Sequence, residues 1–211
     1  MTSDTAKNNM PCELVTWDQV NSFARRLAKQ VRAAGIEIDM IVAIGRGGYM
    51  PARLLSDLLG IMNLASFKIE HYRGSHKSAE AVIKYPLVAE VNQQNILLVD
   101  DVSDSGDTFT VAIDHIRSKG TPQNIHTAVL HHKSVSRYEP DYFAQEVKQW
   151  RWIIYPWAVT EDLSVLIGAM GPEPVDVTLI QKKLFEKHGI EPSLQQIQVA
   201  LTLITEQQLS E

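Results

Sequence analysis

The sequence predicts an α/β protein: a doubly wound, mostly parallel sheet covered by helices, with a helical hairpin appended at the carboxyl-terminal end. Three observations predict it. Short apolar runs alternate with helix-length amphipathic segments from Trp17 to about His132, the pattern of a parallel sheet whose crossovers are helices. The two loops richest in glycine and aspartate, Gly45–Gly48 (GRGG) and Asp100–Thr108 (DDVSDSGDT), each follow directly on an apolar run. After Gly171-Pro172 the apolar spacing is helical only. Residues 1–170 are therefore expected to form one domain, and residues 171–211 a helical appendage.

Each element has its own signal. Thr16 and Gln19 have capping-box spacing, Val20, Phe23, Leu27 and Val31 recur along one helix face, and Gly35 follows as a stop. Met40–Gly45 (MIVAIG) is a short strand. Pro51 then suits the first turn of a helix that runs to about Leu59 and stops at Gly60. Ser66–Tyr72 alternates as a strand, and the polar stretch beyond it, with Gly74, reads as an exposed loop. Asn95–Val99 (NILLV) is the next strand, a helix follows from about Thr108 to Lys119 and stops at Gly120, and Ile125–His132 is a further strand. In the tail, Asp176 caps a helix over about Val177–His188 that ends at Gly189. Ser193 with Gln196 opens a second helix whose apolar face includes Ile197, Leu201 and Ile204. A helix-turn-helix reader of DNA would place Lys or Arg on that second helix to meet phosphates; LQQIQVALTLITEQQ has neither, so packing or oligomer contact is expected of it instead.

Whole-chain properties exclude several classes. With 211 residues, 45% of them hydrophobic and 21% charged, the chain can bury a core of its own. A net charge of −5 without a basic block argues against nucleic-acid binding, which neutralises phosphates with clustered Lys and Arg. The single cysteine, Cys12, excludes an intramolecular disulfide framework and a cysteine-built zinc site. No apolar run is long enough to span a bilayer, and the polar first residues lack a signal-peptide pattern, so no membrane partner and a cytoplasmic location are expected.

The chemistry concentrates in Asn95–Thr110. Buried strands do not tolerate unpaired carboxylates, so Asp100, Asp101 and Asp104 are expected to face water, a cation or a polyhydroxylated ligand. Asp104, Ser105, Gly106, Asp107 and Thr108 turn from strand into helix, where successive backbone N–H groups and two hydroxyls can converge on one anion. Gly106 lets the backbone come close. Asp100 and Asp101 then stand before the cradle, placed to hold ribose hydroxyls and Mg²⁺.

This stretch resembles the phosphoribosyl-pyrophosphate (PRPP) binding motif of the type I phosphoribosyltransferases. Ile44–Gly60 (IGRGGYMPARLLSDLLG) is similar to the pyrophosphate loop and following helix of the purine-using members. The resemblance covers roughly Trp17 to Gly168 and implies the type I phosphoribosyltransferase fold. It implies that Gly45, Arg46, Gly47 and Gly48 grip pyrophosphate, with a cis peptide at Gly45-Arg46. It also places a hood over His71–Ser78, where His71-Tyr72 stands for the family's Ser-Tyr pair and leaves Tyr72 as the pyrophosphate contact. Lys133 resembles the lysine that meets the purine 6-oxo group, and Trp152–Trp157 (WIIYPW) looks like the segment of the xanthine-guanine enzymes whose first tryptophan stacks on the base. Trp152 would then be the platform, Ile153 the source of main-chain contacts, and Trp150 the rival platform. Asp107 departs from the small or basic residue common there, and Ala158 from an acid near the base, with Glu161-Asp162 a little further on.

By this resemblance the protein is expected to be a Mg²⁺-dependent purine-salvage enzyme. It would transfer the phosphoribosyl group of PRPP to hypoxanthine, guanine or xanthine, with Asp104 also accepting a proton from the base. A homodimer is expected by analogy. The alternatives are a PRPP-sensing regulator that kept the fold and ligand site, with the helical hairpin as its output surface, and transfer to another nucleobase.

Overall fold

The structure is a computed structural model that describes residues 9–72, 80–171 and 176–209. Backbone contacts divide the chain into two compact units, residues 18–149 and residues 1–17 with 150–211.

The larger unit is a six-stranded sheet with helices. Its elements are α1 (Trp17–Ala33, beginning one residue earlier in the smaller unit), β2 (Met40–Gly45), α2 (Tyr49–Leu59), β3 (Leu64–Tyr72), β4 (Glu80–Tyr85), β5 (Asn95–Ser103), α3 (Asp107–Lys119), β6 (Asn124–Lys133) and β7 (Tyr142–Val147). β1 (Cys12–Leu14) belongs to the smaller unit. The strand order is β4-β3-β2-β5-β6-β7, parallel except for the antiparallel β3–β4 pair at one edge. β2 is buried at every position and β5 from Ile96 to Asp100, as strands covered on both faces must be. On one side Val42, Ile44, Phe67, Ile96, Leu98, Phe109 and Ile116 form a continuous core. α1 buries Val20, Phe23, Leu27 and Val31, the face its spacing marks out.

The smaller unit pairs β1 in parallel with β8 (Trp152–Ile154) and adds α4 (Val159–Gly168), α5 (Val177–His188) and α6 (Leu194–Leu209). Ile154, Leu163, Ile167, Leu184 and Ile197 form its core. Asp176 caps α5 by accepting from the N–H groups of Thr178 and Leu179. No helix among the described residues is long and apolar enough to cross a membrane.

Two boundaries differ from expectation. α2 begins at Tyr49, which moves Pro51 to the third helical position; the N–H groups of a first turn have no intrahelical partner, so proline is tolerated there. β5 runs four residues further than its apolar stretch, to Ser103, because β6 continues to pair with it as far as Ser103↔His132.

Candidate active site

β2 and β5 are neighbours whose chains leave in opposite directions, β2 through α2 to β3 and β5 through α3 to β6. That is the switch point at which open α/β sheets bind ligands, and both glycine- and aspartate-rich loops open there. Gly48 makes their close approach workable. Its N–H donates to the Ile44 carbonyl at 2.8 Å. A Cβ on Gly48 would run into the carbonyl oxygens of Val99 and Ile44, so only glycine fits. The Gly45-Arg46 peptide is cis, and the Arg46 side chain is exposed.

The aspartates facing this loop have three different environments. Asp100 is buried, so of the water, cation or ligand expected to meet it, bulk water is the one its position disfavours. Its Oδ1 accepts the Asp101 N–H at 2.9 Å, and the Gly48 main chain also favours its charged form. Burial, and then the neighbouring Asp101 charge, nevertheless hold its carboxyl well above the usual range. Asp101 is half-buried, and a Cβ on Gly47 would clash with its carboxylate, which lies directly against the glycine loop. Asp104 is the most open, with its side chain 40% exposed, and its Oδ2 accepts from Lys133 Nζ at 2.7 Å. Lys133 is only 2% exposed, so the pair holds a buried ammonium at the edge of the site.

From Asp104 the chain wraps a cavity of about 190 Å³, lined by Asp100 to Gly106 with Thr108 and Phe109. That is room for about six waters, or for a phosphoryl group and part of a sugar. Gly106, at φ 93°, precedes the first turn of α3 and lines this cavity together with Thr108 and Phe109 of that turn. Asp107 is exposed; its Oδ2 accepts from Ser105 Oγ at 3.0 Å, and its N–H donates to the same hydroxyl at 3.3 Å. The acid that departs from the motif therefore occupies the Ser105 proton.

Asp100 and Asp101 suit a hard cation. Two adjacent carboxylates, one resisting ionisation because of burial and its neighbour, are relieved by a divalent charge, and Mg²⁺ is commonly held by one or two carboxylates plus substrate oxygens. No cluster of three or more metal-ligating side chains occurs among the described residues.

In the smaller unit Trp152 is 39% exposed and Trp150 40%, so exposure does not separate the two. The Trp152 indole is held in place, its Nε1 donating to Asp162 Oδ1 at 3.0 Å. Trp152 N–H donates to Pro11 and Ile154 accepts from Val15, so strand alternation points the N–H and C=O of Ile153 to the opposite edge. Sequence reasoning placed Glu161-Asp162 near the base-type segment but missed the Asp162 bond; Ser103, Ser136 and Tyr138, described below, carried no motif at all. Of the segment expected to form a hood, His71–Ser78, the backbone of His71 and Tyr72 belongs to β3; residues 73–79 and the Tyr72 side chain lie outside the described residues.

A cavity at a helix start, opposed across a strand switch by a glycine loop and flanked by paired carboxylates, is an arrangement with which an α/β sheet can hold a phosphorylated ligand. The chain belongs to the phosphoribosyltransferase family: residues 14–162 match the phosphoribosyl transferase domain. It is 30% identical over 158 residues to the xanthine-guanine phosphoribosyltransferase of Gluconobacter oxydans (strain 621H), covering 74% of this chain and 90% of that one. Among solved structures, the purine phosphoribosyltransferase of Pyrococcus horikoshii OT3 is similar at a TM-score of 0.62 and 31% identity, over 70% of this chain and 94% of that one. A Neisseria gonorrhoeae protein described as hypothetical, with bound ppGpp, is similar at a TM-score of 0.63 and 25% identity, over 82% and 95%. The resemblance to type I phosphoribosyltransferases is thereby borne out.

Proposed function

We propose that the protein transfers the 5-phosphoribosyl group of PRPP to a 6-oxopurine and releases pyrophosphate. The observation that carries this is the Lys133–Asp104 pair beside the phosphate cradle: a buried donor suited to an oxo group and a carboxylate suited to a purine N–H, 2.7 Å apart. Lysine has three N–H donors, so Lys133 can keep Asp104 while donating to the 6-oxo oxygen. The xanthine-guanine relative and the Pyrococcus purine enzyme support a purine acceptor.

In this reading Ser105, Gly106, Asp107 and Thr108 fix the 5′-phosphate through main-chain N–H groups and hydroxyls, so that carbon 1 faces the base. A purine nitrogen displaces pyrophosphate through an oxocarbenium-like transition state. Asp104 accepts the proton the attacking base loses. Gly45, Arg46, Gly47 and Gly48 hold the departing pyrophosphate, with Arg46 meeting its growing charge. Mg²⁺, held by Asp100 and Asp101 with substrate oxygens, would supply further neutralisation of that charge. Tyr72 in the hood would help exclude water, which otherwise hydrolyses an activated ribose. Trp152 and Ile153 are assigned to the base face from the sequence pattern. A homodimer rests on analogy alone, and light scattering checks it.

The test is Asp104→Asn. Loss of a general base lowers kcat by about 10²-fold, with the KM for PRPP changed much less. Equal loss in both removes the proton-accepting role.

A second reading is favoured by the ppGpp in the neisserial structure. A PRPP- and guanosine-nucleotide-responsive regulator would use the same cradle for the ligand's phosphates. It predicts tight ppGpp binding that PRPP displaces, together with no turnover of any base.

A further inference from the structure

β6 and β7 are parallel neighbours joined by residues 134–141 without a helix. The segment leaves Lys133 at the carboxyl end of β6 and returns to the level of Ala128, where Tyr142 pairs. On the way it is bonded to the phosphate loop, link after link. Ser136 N–H donates to the Lys133 carbonyl at 2.8 Å, starting the return immediately after the base-reading lysine. Ser136 Oγ lies 2.8 Å from Ser103 Oγ, and both hydroxyls reach the Tyr138 carbonyl, at 2.9 and 3.1 Å. Arg137 N–H donates to the Ser105 carbonyl at 2.9 Å. A Cβ on Gly106 would come within 2.6 Å of Tyr138 N and 2.8 Å of its Cβ, so the cradle glycine is pressed against the segment. The Tyr138 ring stacks on Phe109 of α3 at 5.1 Å and 9°, and its hydroxyl donates to the buried Thr127 at 3.3 Å.

These bonds do not merely close a loop over the core. They end on the Ser103 hydroxyl and the Ser105 carbonyl, beside the Gly106 backbone that the segment presses on, and they begin on the carbonyl of Lys133. Building on the function proposed above, we infer that Ser136 and Tyr138 are positioning residues that lock the phosphate cradle to the base-reading end of β6. Cradle geometry and Lys133 placement then move together, so that holding PRPP also sets the ammonium that reads the purine. Ser136 is the sharpest point at which to break the link, because it is half-buried and its hydroxyl bonds directly to Ser103.

The experiment measures the KM for PRPP, the KM for the preferred purine, kcat and the melting temperature for wild type, Ser136→Ala, Ser103→Ala and the double variant, with calorimetric titration of PRPP alongside. Ser136→Ala is expected to raise both KM values together by about three- to tenfold, the range one neutral hydrogen bond covers, with kcat within about twofold. The double variant is expected to be no worse than the more affected single, because both remove the same link. Both KM values staying at wild-type level, with or without a fall in melting temperature, would overturn the inference and leave the segment structural. So would a rise in only one KM, or strictly additive effects in the double variant. Wild-type protein that binds no PRPP would instead overturn the proposed function, and this inference with it.

Discussion

Replacing Lys133 with methionine separates base reading from folding. Among the described residues Lys133 is the largest charged side chain at such depth, 2% exposed, and its ammonium is bonded to Asp104 Oδ2 at 2.7 Å. Alanine would leave a cavity behind the lost stem, and cavities in a core cost several kcal/mol in themselves. Methionine keeps most of that stem and removes only the charge. Removing one member of an ion pair is costly when it leaves a charge buried, but the Asp104 carboxylate left behind here is 40% exposed and can be hydrated, while the buried ammonium is the member removed. The melting temperature should therefore change little. Binding of a 6-oxopurine loses one charge-assisted hydrogen bond, about 1.5–3 kcal/mol, or about 10- to 150-fold in kcat/KM for the base. Initial rates of nucleotide formation at saturating PRPP, with hypoxanthine, guanine, xanthine and adenine in turn, read the effect. The loss should fall on the 6-oxopurines and spare whatever slow reaction adenine supports. An unchanged base preference, with the fold intact, would refute the assignment of Lys133.

Two further outcomes are expected. Asp107→Ala frees the Ser105 hydroxyl and removes an exposed like charge beside the bound phosphate, so the KM for PRPP should fall by about two- to fivefold, the worth of an exposed charge interaction; a rise would show that Asp107 holds Ser105 in the binding orientation. His131 is fully buried, edge-on to Phe23 at 4.9 Å, and burial followed by the Lys133 charge pushes its imidazole down to about 4. The unfolded chain takes up this proton as pH falls through about 6.5 and the fold does not, so stability drops from pH 6.5 towards 4 by up to about 3 kcal/mol. Denaturant midpoints across that window should show the slope in wild type and a shallower one in His131→Gln; equal slopes would contradict the assignment.

Much of this was legible in the sequence because it is local. Met40–Gly45, the face of α1 and the glycine stops of α2 and α5 follow from side-chain period and cap chemistry, and each falls where expected. What stayed hidden depends on partners distant in sequence. β1 is a strand only because β8 lies beside it, and β4 and β7 are edge strands with weak periodicity of their own. α4 follows Ala158, its N-cap, with no side-chain cap and so carries little local signal. The turn from strand into helix at Asp104–Thr108 was readable from residue order, but the burial of Asp100 rests on N–H donors from Gly48 and Asp101 that no local pattern announces. The Ser103–Ser136–Tyr138 link is likewise invisible, since SVSRY reads as an ordinary polar turn.

The most direct test of the central claim is pyrophosphate release from PRPP with Mg²⁺, with hypoxanthine, guanine, xanthine, adenine, uracil and orotate supplied one at a time. Release with one or more 6-oxopurines, matched mole for mole by nucleotide, is the predicted result. Measurable PRPP binding with no release for any 6-oxopurine would contradict it.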